Sequence, residues 1–310
     1  AVLSQVGNPD LEWQITVDKN IGLDVTLFNK RFSLTADYYY KVTDPLLIKV
    51  STPLSSGTPT YMTNAGEQVS QGLTASVSYY IFQNFAERFS WMIRANVRTQ
   101  KSKIDKIGNK LSTLNASGKG ANTVRYYDGA DPDDIWAVKS AGIDPSNGKE
   151  LFYARDGSYT YDFSYDDEVI CGNTRPDVEG VLGTSLNWKG LSVSLNFRYQ
   201  MGADVFNEAL YSKVENISRS ALNRNQDKRA LYERWQEVGD MVRFKDIASA
   251  ESTPMSSRFV QKENVLTLES VYVGYEFYDG WIKKLGLSSL KIQASMRDVF
   301  RASTIRSERG

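Results

Sequence analysis

Eight stretches of this chain alternate apolar and polar residues, and the gaps between them are by turns short and long. The stretches run over 13–28, 32–42, 73–82, 89–99, 181–188, 191–200, 265–277 and 289–297. A period of two sends successive side chains to opposite faces of a strand. Ile21, Leu23, Val25 and Leu27 therefore share one face, and Asn20, Gly22, Asp24 and Thr26 the other. Phe32, Leu34, Ala36 and Tyr38 oppose Ser33, Thr35 and Asp37 in the same way. Leu191, Val193, Leu195 and Phe197 oppose Ser192, Ser194, Asn196 and Arg198. This pattern predicts an all-β, antiparallel up-and-down sheet with its short turns on one rim and its long loops on the other.

Outer-membrane β-barrels have that rhythm, with short periplasmic turns and longer extracellular loops. A soluble sandwich also alternates, but several strands here reach about ten residues or more, the length of a tilted membrane crossing. Aromatics gather near strand ends, at Trp13, Tyr38, Tyr40, Phe82, Phe89, Trp188, Tyr199 and Phe277, where interfacial girdles belong. The polar parity assigns Arg94, Arg98, Arg198, Asp24, Asp37, Lys291 and Arg297 to the lumen. Lys19 falls on the lipid-facing parity and is expected at the outer boundary of the apolar band, where its stem can snorkel. Leu266 and Leu268 have one parity while Val271, Val273, Tyr275 and Phe277 have the other, so a bulge is expected at Glu269 or Ser270.

Composition narrows function mainly by exclusion. Lysine plus arginine equals aspartate plus glutamate, 37 each, so no net field favours nucleic acid. Histidine is absent and Cys171 is the one cysteine, which removes the usual proton shuttle, an internal disulfide and most zinc sites. No run of about eighteen apolar residues offers a transmembrane helix. Segment 142–149 has one residue too many for a phosphate-binding loop, and Glu150 stands where its Ser or Thr is needed. Gly118-Lys119-Gly120 lacks the third glycine of a dinucleotide site, and the adjacent Asp166 and Asp167 cannot face each other across a cleft. The chain does not read as an enzyme.

The long connections cover 43–72, 100–180 and 201–264, and loops of this length are generally functional. In the last, Asn225 is expected to cap a helix carrying Leu231, Trp235 and Val238 and ending at Gly239. Phe206, Leu210 and Val214 suggest a helix before it. The middle loop holds Asp128, Asp131, Asp133 and Asp134, oxygen ligands that suit calcium or a solvated turn around Pro132. Tyr159, Tyr161 and Tyr165, with Phe163, either stack on sugar rings or pack the loop against itself.

Several segments together resemble the C-terminal half of the SusC/RagA-type TonB-dependent outer-membrane transporters. They include Asn8-Pro9-Asp10-Leu11-Glu12-Trp13, Asn20-Ile21-Gly22-Leu23-Asp24 and Leu34-Thr35-Ala36-Asp37-Tyr38-Tyr39. Asn64-Ala65-Gly66 with Gln71-Gly72-Leu73, Gly142-Ile143-Asp144-Pro145 with Gly148-Lys149-Glu150, and Arg175-Pro176-Asp177 through Gly183 follow in family order. Ser257-Arg258-Phe259-Val260 and Arg297-Asp298-Val299-Phe300 complete the series; Glu179 departs from it, standing where a glycine is usual. The resemblance implies a barrel of about 22 strands around a plugged lumen. Residues 1–310 are then expected to be a C-terminal portion of the barrel domain, without the plug or the final strand.

The family resemblance implies import of an oligosaccharide or peptide across the outer membrane of a Gram-negative bacterium. A SusD-like surface lipoprotein would lid the long loops, and TonB would act through the plug region. The barrel would be bathed in outer-membrane lipid. Two rivals remain at this stage: a self-contained eight-stranded barrel acting as adhesin or channel, and a soluble carbohydrate-binding β-sandwich.

Overall fold

A computed structural model describes residues 7–51, 60–84, 86–221, 223–249 and 251–305. In chain order the strands are β1 (Ile15–Leu27), β2 (Phe32–Asp44), β3 (Leu47–Ser51), β4 (Thr60–Asn64), β5 (Glu67–Asn84) and β6 (Phe89–Asp105). The middle loop contributes β7 (Asp134–Val138), β8 (Ser140–Ile143), β9 (Glu150–Tyr153), β10 (Tyr159–Thr160) and β11 (Glu168–Asn173). Then come β12 (Val178–Trp188), β13 (Leu191–Phe206), β14 (Val260–Phe277) and β15 (Leu290–Ser303).

All eight alternating stretches are strands of one antiparallel sheet, ordered β1-β2-β5-β6-β12-β13-β14-β15. Consecutive wall strands are neighbours, so the connections never cross the sheet. The tightest turn, Lys189-Gly190, joins the paired residues Trp188 and Leu191. Both of its residues have positive φ, 48° and 99°, the two-residue hairpin turn whose twist matches the strands it joins. β1 and β15 lie at opposite edges, with no bonds between them among the described residues. The sheet is thus a single open arc. That geometry is neither two stacked sheets nor a closed eight-stranded barrel, which removes both rivals.

The bulge falls at Glu269. Asn196 pairs with Ser270 and Phe197 with Leu268, so Glu269 is the extra residue that brings Leu268 and Val271 onto one face. β15 answers with its own irregularity, since Leu268 pairs with Phe300 and Ser270 with Arg297.

Burial is inverted relative to a soluble domain. The sheet's apolar side chains are open: Ile21 is 77% exposed, Leu23 57%, Ile292 61% and Met296 60%. The packed core lies among the long loops instead. One cluster joins Val50, Ala65, Ile104, Ile107 and Leu111, where the β3–β4 hairpin and the helix Ser112–Gly118 rest on the end of β6. A second joins Leu210, Val214, Phe244 and Phe259, with Phe206 and Tyr211 packed against it. Loops facing water must cover their own apolar groups, whereas a face turned to hydrocarbon need not.

The expected helix beginning at Asn225 does not form. Asp227 caps a single 3-10 turn, Lys228–Leu231, and the chain then runs extended, with Arg234 bridging to Phe244. Helical spacing misled because the buried groups here are Ala230, Arg234 and Phe244, while Leu231 and Val238 are 69% and 75% exposed. The Arg234 guanidinium satisfies the carbonyls of Ala230, Lys245 and Val214, so backbone bonding runs through a side chain rather than a helix. Before it, Leu210–Glu215 forms a π-helix that buries Leu210 and Val214, in line with the periodicity there.

Candidate functional site

Strand register brings the seven predicted lumen residues onto one face. Arg94 and Arg297 lie in the row Thr26, Ser33, Ser78, Arg94, Gly183, Asn196, Ser270, Arg297, which crosses all eight strands. The next row carries Asp24, Asn96, Arg198 and Arg301, and the one beyond it Asp37, Arg98, Glu179 and Gln200. Lys291 pairs with Glu276 nearer the short-turn rim. All seven side chains are exposed.

Three of these charges, Arg94, Arg98 and Arg198, are tethered along the wall. The Arg94 guanidinium donates to Asn196 Oδ1 at 2.6 Å, and Asn196 Nδ2 donates to Ser270 Oγ at 2.8 Å. Arg98 lies 3.5 Å from Glu179 and donates to Gln100 Oε1, while Arg198 ion-pairs with Glu269. Arg301 meets Glu263 at 3.0 Å. Glycines let this layer lie flat: a Cβ on Gly183 would stand 2.5 Å from Arg94 Nε, and one on Gly22 2.6 Å from Asp37 Oδ1. The acidic partners Glu179, Glu263 and Glu269 were missed from sequence because assigning them needs the register. The signal for Glu269 was present in the parity break around it.

The opposite face is apolar from edge to edge. Val25, Leu34, Val77, Ala95, Leu182, Phe197, Leu268 and Phe300 form one row. Toward the short turns, Phe82 stacks with Trp91 at 6.3 Å and tilts on Phe89 at 5.7 Å, and Phe277 meets Trp281 at 5.9 Å. Phe89 and Trp188 are direct partners. A hydrophobic band edged by aromatics is what a lipid-facing wall requires.

Beyond the other rim, residues 256–258 clasp the two largest loops together. Ser256 Oγ donates to Glu150 at 2.5 Å, and Ser257 Oγ accepts from the Ser140 amide at 3.0 Å. Arg258 meets Glu150 at 2.8 Å and Glu215 at 2.6 Å. Burial works against the Arg258 charge, but hydrogen bonds and attraction from Glu215 and Glu150 outweigh it and hold its pKa above the ordinary arginine value. Burial also pushes the Lys245 ammonium down nearby. A second dry pair, Arg125 with Glu168, is bidentate at 2.9 and 2.6 Å.

The acidic group of the middle loop is engaged by the chain itself. Arg175 holds Asp131 and Asp133, Asp128 accepts from the amides of Ile107 and Gly108, and Asp134 accepts from Asn173. Among the described residues, no three acidic, cysteine or histidine side chains are grouped to hold a metal ion. The tyrosines pack locally. Tyr159 tilts on Tyr153 at 4.9 Å, Tyr165 meets Phe163 edge-on at 4.8 Å, and the Tyr161 hydroxyl donates to Asp144. Cys171 is partly covered, with burial pushing its thiol up and away from reactivity.

The family model for the TonB dependent receptor-like β-barrel matches residues 2–217. The chain belongs to the TonB-dependent receptor β-barrel family. It is 24% identical to a TonB-dependent receptor of Formosa agariphila over 96% of its own length and 32% of that protein's. To TonB-dependent receptor SusC of Bacteroides thetaiotaomicron it is 25% identical, over 88% of this chain and 27% of SusC. The chain thus spans about a third of the length of the curated relatives it matches. The structure of the RagAB peptide transporter superposes with a TM-score of 0.82 at 24% identity, covering 97% of this chain and 33% of that one. As a TonB-dependent barrel arc, the sheet's two faces are lumen wall and lipid wall. The family transports rather than catalyses, and its barrels lie in the outer membrane.

Proposed function

We propose that this chain supplies barrel wall and extracellular loops to an outer-membrane transporter that imports oligosaccharides or peptides. A SusD-like surface lipoprotein covers the long loops, and TonB energises the cycle through a plug in the lumen. The observation that carries the reading is the division of labour across the sheet. One face is apolar and bare along all eight strands, the other is a flat, charge-balanced layer, and the buried core sits in the loops. Arg94, Arg98, Arg198, Asp24, Asp37, Lys291 and Arg297 then face plug and cargo, and the clasped loops meet lid and substrate. Peptide cargo is supported by likeness to a peptide transporter, and oligosaccharide cargo rests on the family resemblance of the sequence motifs alone.

The test is growth of a strain lacking the full-length gene on single glycans and on single peptide sources. Loss of growth on one class identifies the cargo. Unimpaired growth on all of them, with the receptor normally expressed in the parent strain, would remove the import role.

A further inference from the structure

We propose that Lys19 and Lys101 form a binding site for anionic, phosphate-bearing lipid headgroups on the barrel's outer face. The site lies within the loop-proximal part of the apolar face. The inference rests on the wall reading above.

Lys19, Tyr40, Gln71 and Lys101 are successive cross-strand partners and so share one row and one face. That face is the lipid-facing one. The row immediately below is Ile21, Tyr38, Leu73 and Thr99, with Ile21 77% and Leu73 43% exposed. The Tyr38 hydroxyl ties the two rows by donating to Gln71 Oε1 at 3.1 Å. Along four strands this row interrupts the apolar face with cationic and amide groups, and Val17, Val42 and Val69 follow it toward the loops.

Both lysines are exposed and have no carboxylate partner among the described residues. Four inner-face cations, Lys41, Arg98, Arg198 and Arg301, each meet a carboxylate, and so does Lys103 one row above on the outer face, which pairs with Asp105 at 2.5 Å; Lys19 and Lys101 do not. An uncompensated ammonium at the hydrocarbon boundary has its stem in the apolar layer and its charge at headgroup level. Phosphate is the complementary group at that depth. Three interstrand steps separate the lysines by about 14 Å, so they engage separated phosphates rather than chelating one. Tyr40 and Gln71 between them offer hydrogen bonds to the polar part of the same headgroup.

The test uses the full-length receptor in nanodiscs of phosphatidylcholine with a minor share of phosphatidylglycerol, counting retained lipids by native mass spectrometry. Each lysine is expected to contribute about a fivefold preference for the anionic lipid. The double variant Lys19→Gln/Lys101→Gln should lose most of the retained phosphatidylglycerol and keep its phosphatidylcholine. Lys19→Arg/Lys101→Arg should hold the anionic lipid, and Lys149→Gln, in the loop layer, should match the wild type. Equal retention by the double glutamine variant and the wild type would overturn the proposal. So would displacement of the lipid by inorganic phosphate at millimolar concentration, which would mark a site for free anions. A receptor that stays soluble without detergent would overturn the wall reading, and this inference with it.

Discussion

The guanidinium of Arg258 lies 2.6 Å from the carboxylate of Glu215, and both side chains are nearly shut off from water, at 9% and 0% exposure. The same nitrogen is 2.8 Å from Glu150, 108 residues earlier in the chain. One side chain in the 3-10 turn Ser257–Phe259, just before β14, therefore holds both large loops to the wall. Removing one partner of a buried pair leaves an uncompensated charge, which costs about 3–5 kcal/mol. Arg258→Met should lower amide protection in 140–153 and 210–216 together, as read by hydrogen exchange on the full-length receptor. Arg258→Lys should not restore it, because one ammonium cannot hold both carboxylates with one nitrogen and the Arg243 carbonyl with another, as Nη2 and Nη1 do. Unchanged protection in either loop would refute the clasp.

The lipid face and the lumen face make opposite demands on the same substitution. Leu182 sits in the middle of the apolar row, and Ser185 faces the other side between Ser194 and Met92. Arginine at a mid-bilayer lipid-facing position costs about 2–4 kcal/mol. Leu182→Arg should reduce the folded, heat-modifiable receptor in outer-membrane fractions. Ser185→Arg should leave that amount near wild type, and equal loss from both would contradict the assignment of faces.

Two glycines on β12 differ in what stands over them. A Cβ on Gly180 would meet the Asn96 carbonyl at 2.0 Å, while one on Gly183 meets the Arg94 side chain. Backbone cannot yield as an exposed arginine can. Gly180→Ala should therefore cost about 1–3 kcal/mol, seen as a lower unfolding midpoint in detergent. Gly183→Ala should shift that midpoint little and lift Arg94 off the wall.

The Asp144–Tyr161 contact sets a pH window. The Tyr161 hydroxyl, then the Ser146 amide, hold the Asp144 carboxyl below its ordinary value. The hydrogen bond to Asp144 pushes the Tyr161 phenol up. A depressed carboxyl contributes stability above its unfolded pKa that is lost as pH falls through the folded value. A raised phenol contributes below its unfolded pKa and loses the contribution as pH rises through the folded one. The contact should thus hold between about pH 4 and pH 10. Tyr161→Phe should delete a late-titrating phenol from the alkaline absorbance curve at 295 nm; an unchanged curve would sink the pairing.

The wall was legible because its cause is local. Period-two patterning records which side of each strand meets hydrocarbon, so Val25, Leu182 and Arg94 declare their faces without help from the rest of the chain. The Glu269 bulge was readable for the same reason, as a parity change within one strand. The loops followed no such rule. Trp235 reads as a helical residue, yet its indole donates to the Pro145 carbonyl and its ring covers Gly148, 87 residues earlier. The acidic group around Pro132 leaves calcium and a solvated turn both open in sequence, and the Arg175 ion pairs with Asp131 and Asp133 become visible only in the fold.

The sequence by itself determined the strands, their two faces and the rim that carries the long loops, because contact with lipid acts on one residue at a time. Only the tertiary structure decided register, and with it the pairing of Arg98 with Glu179, the row joining Lys19 to Lys101 and the clasp of Arg258. Those contacts join residues up to 108 positions apart, and their energies depend on distance and shared burial, which no single strand encodes.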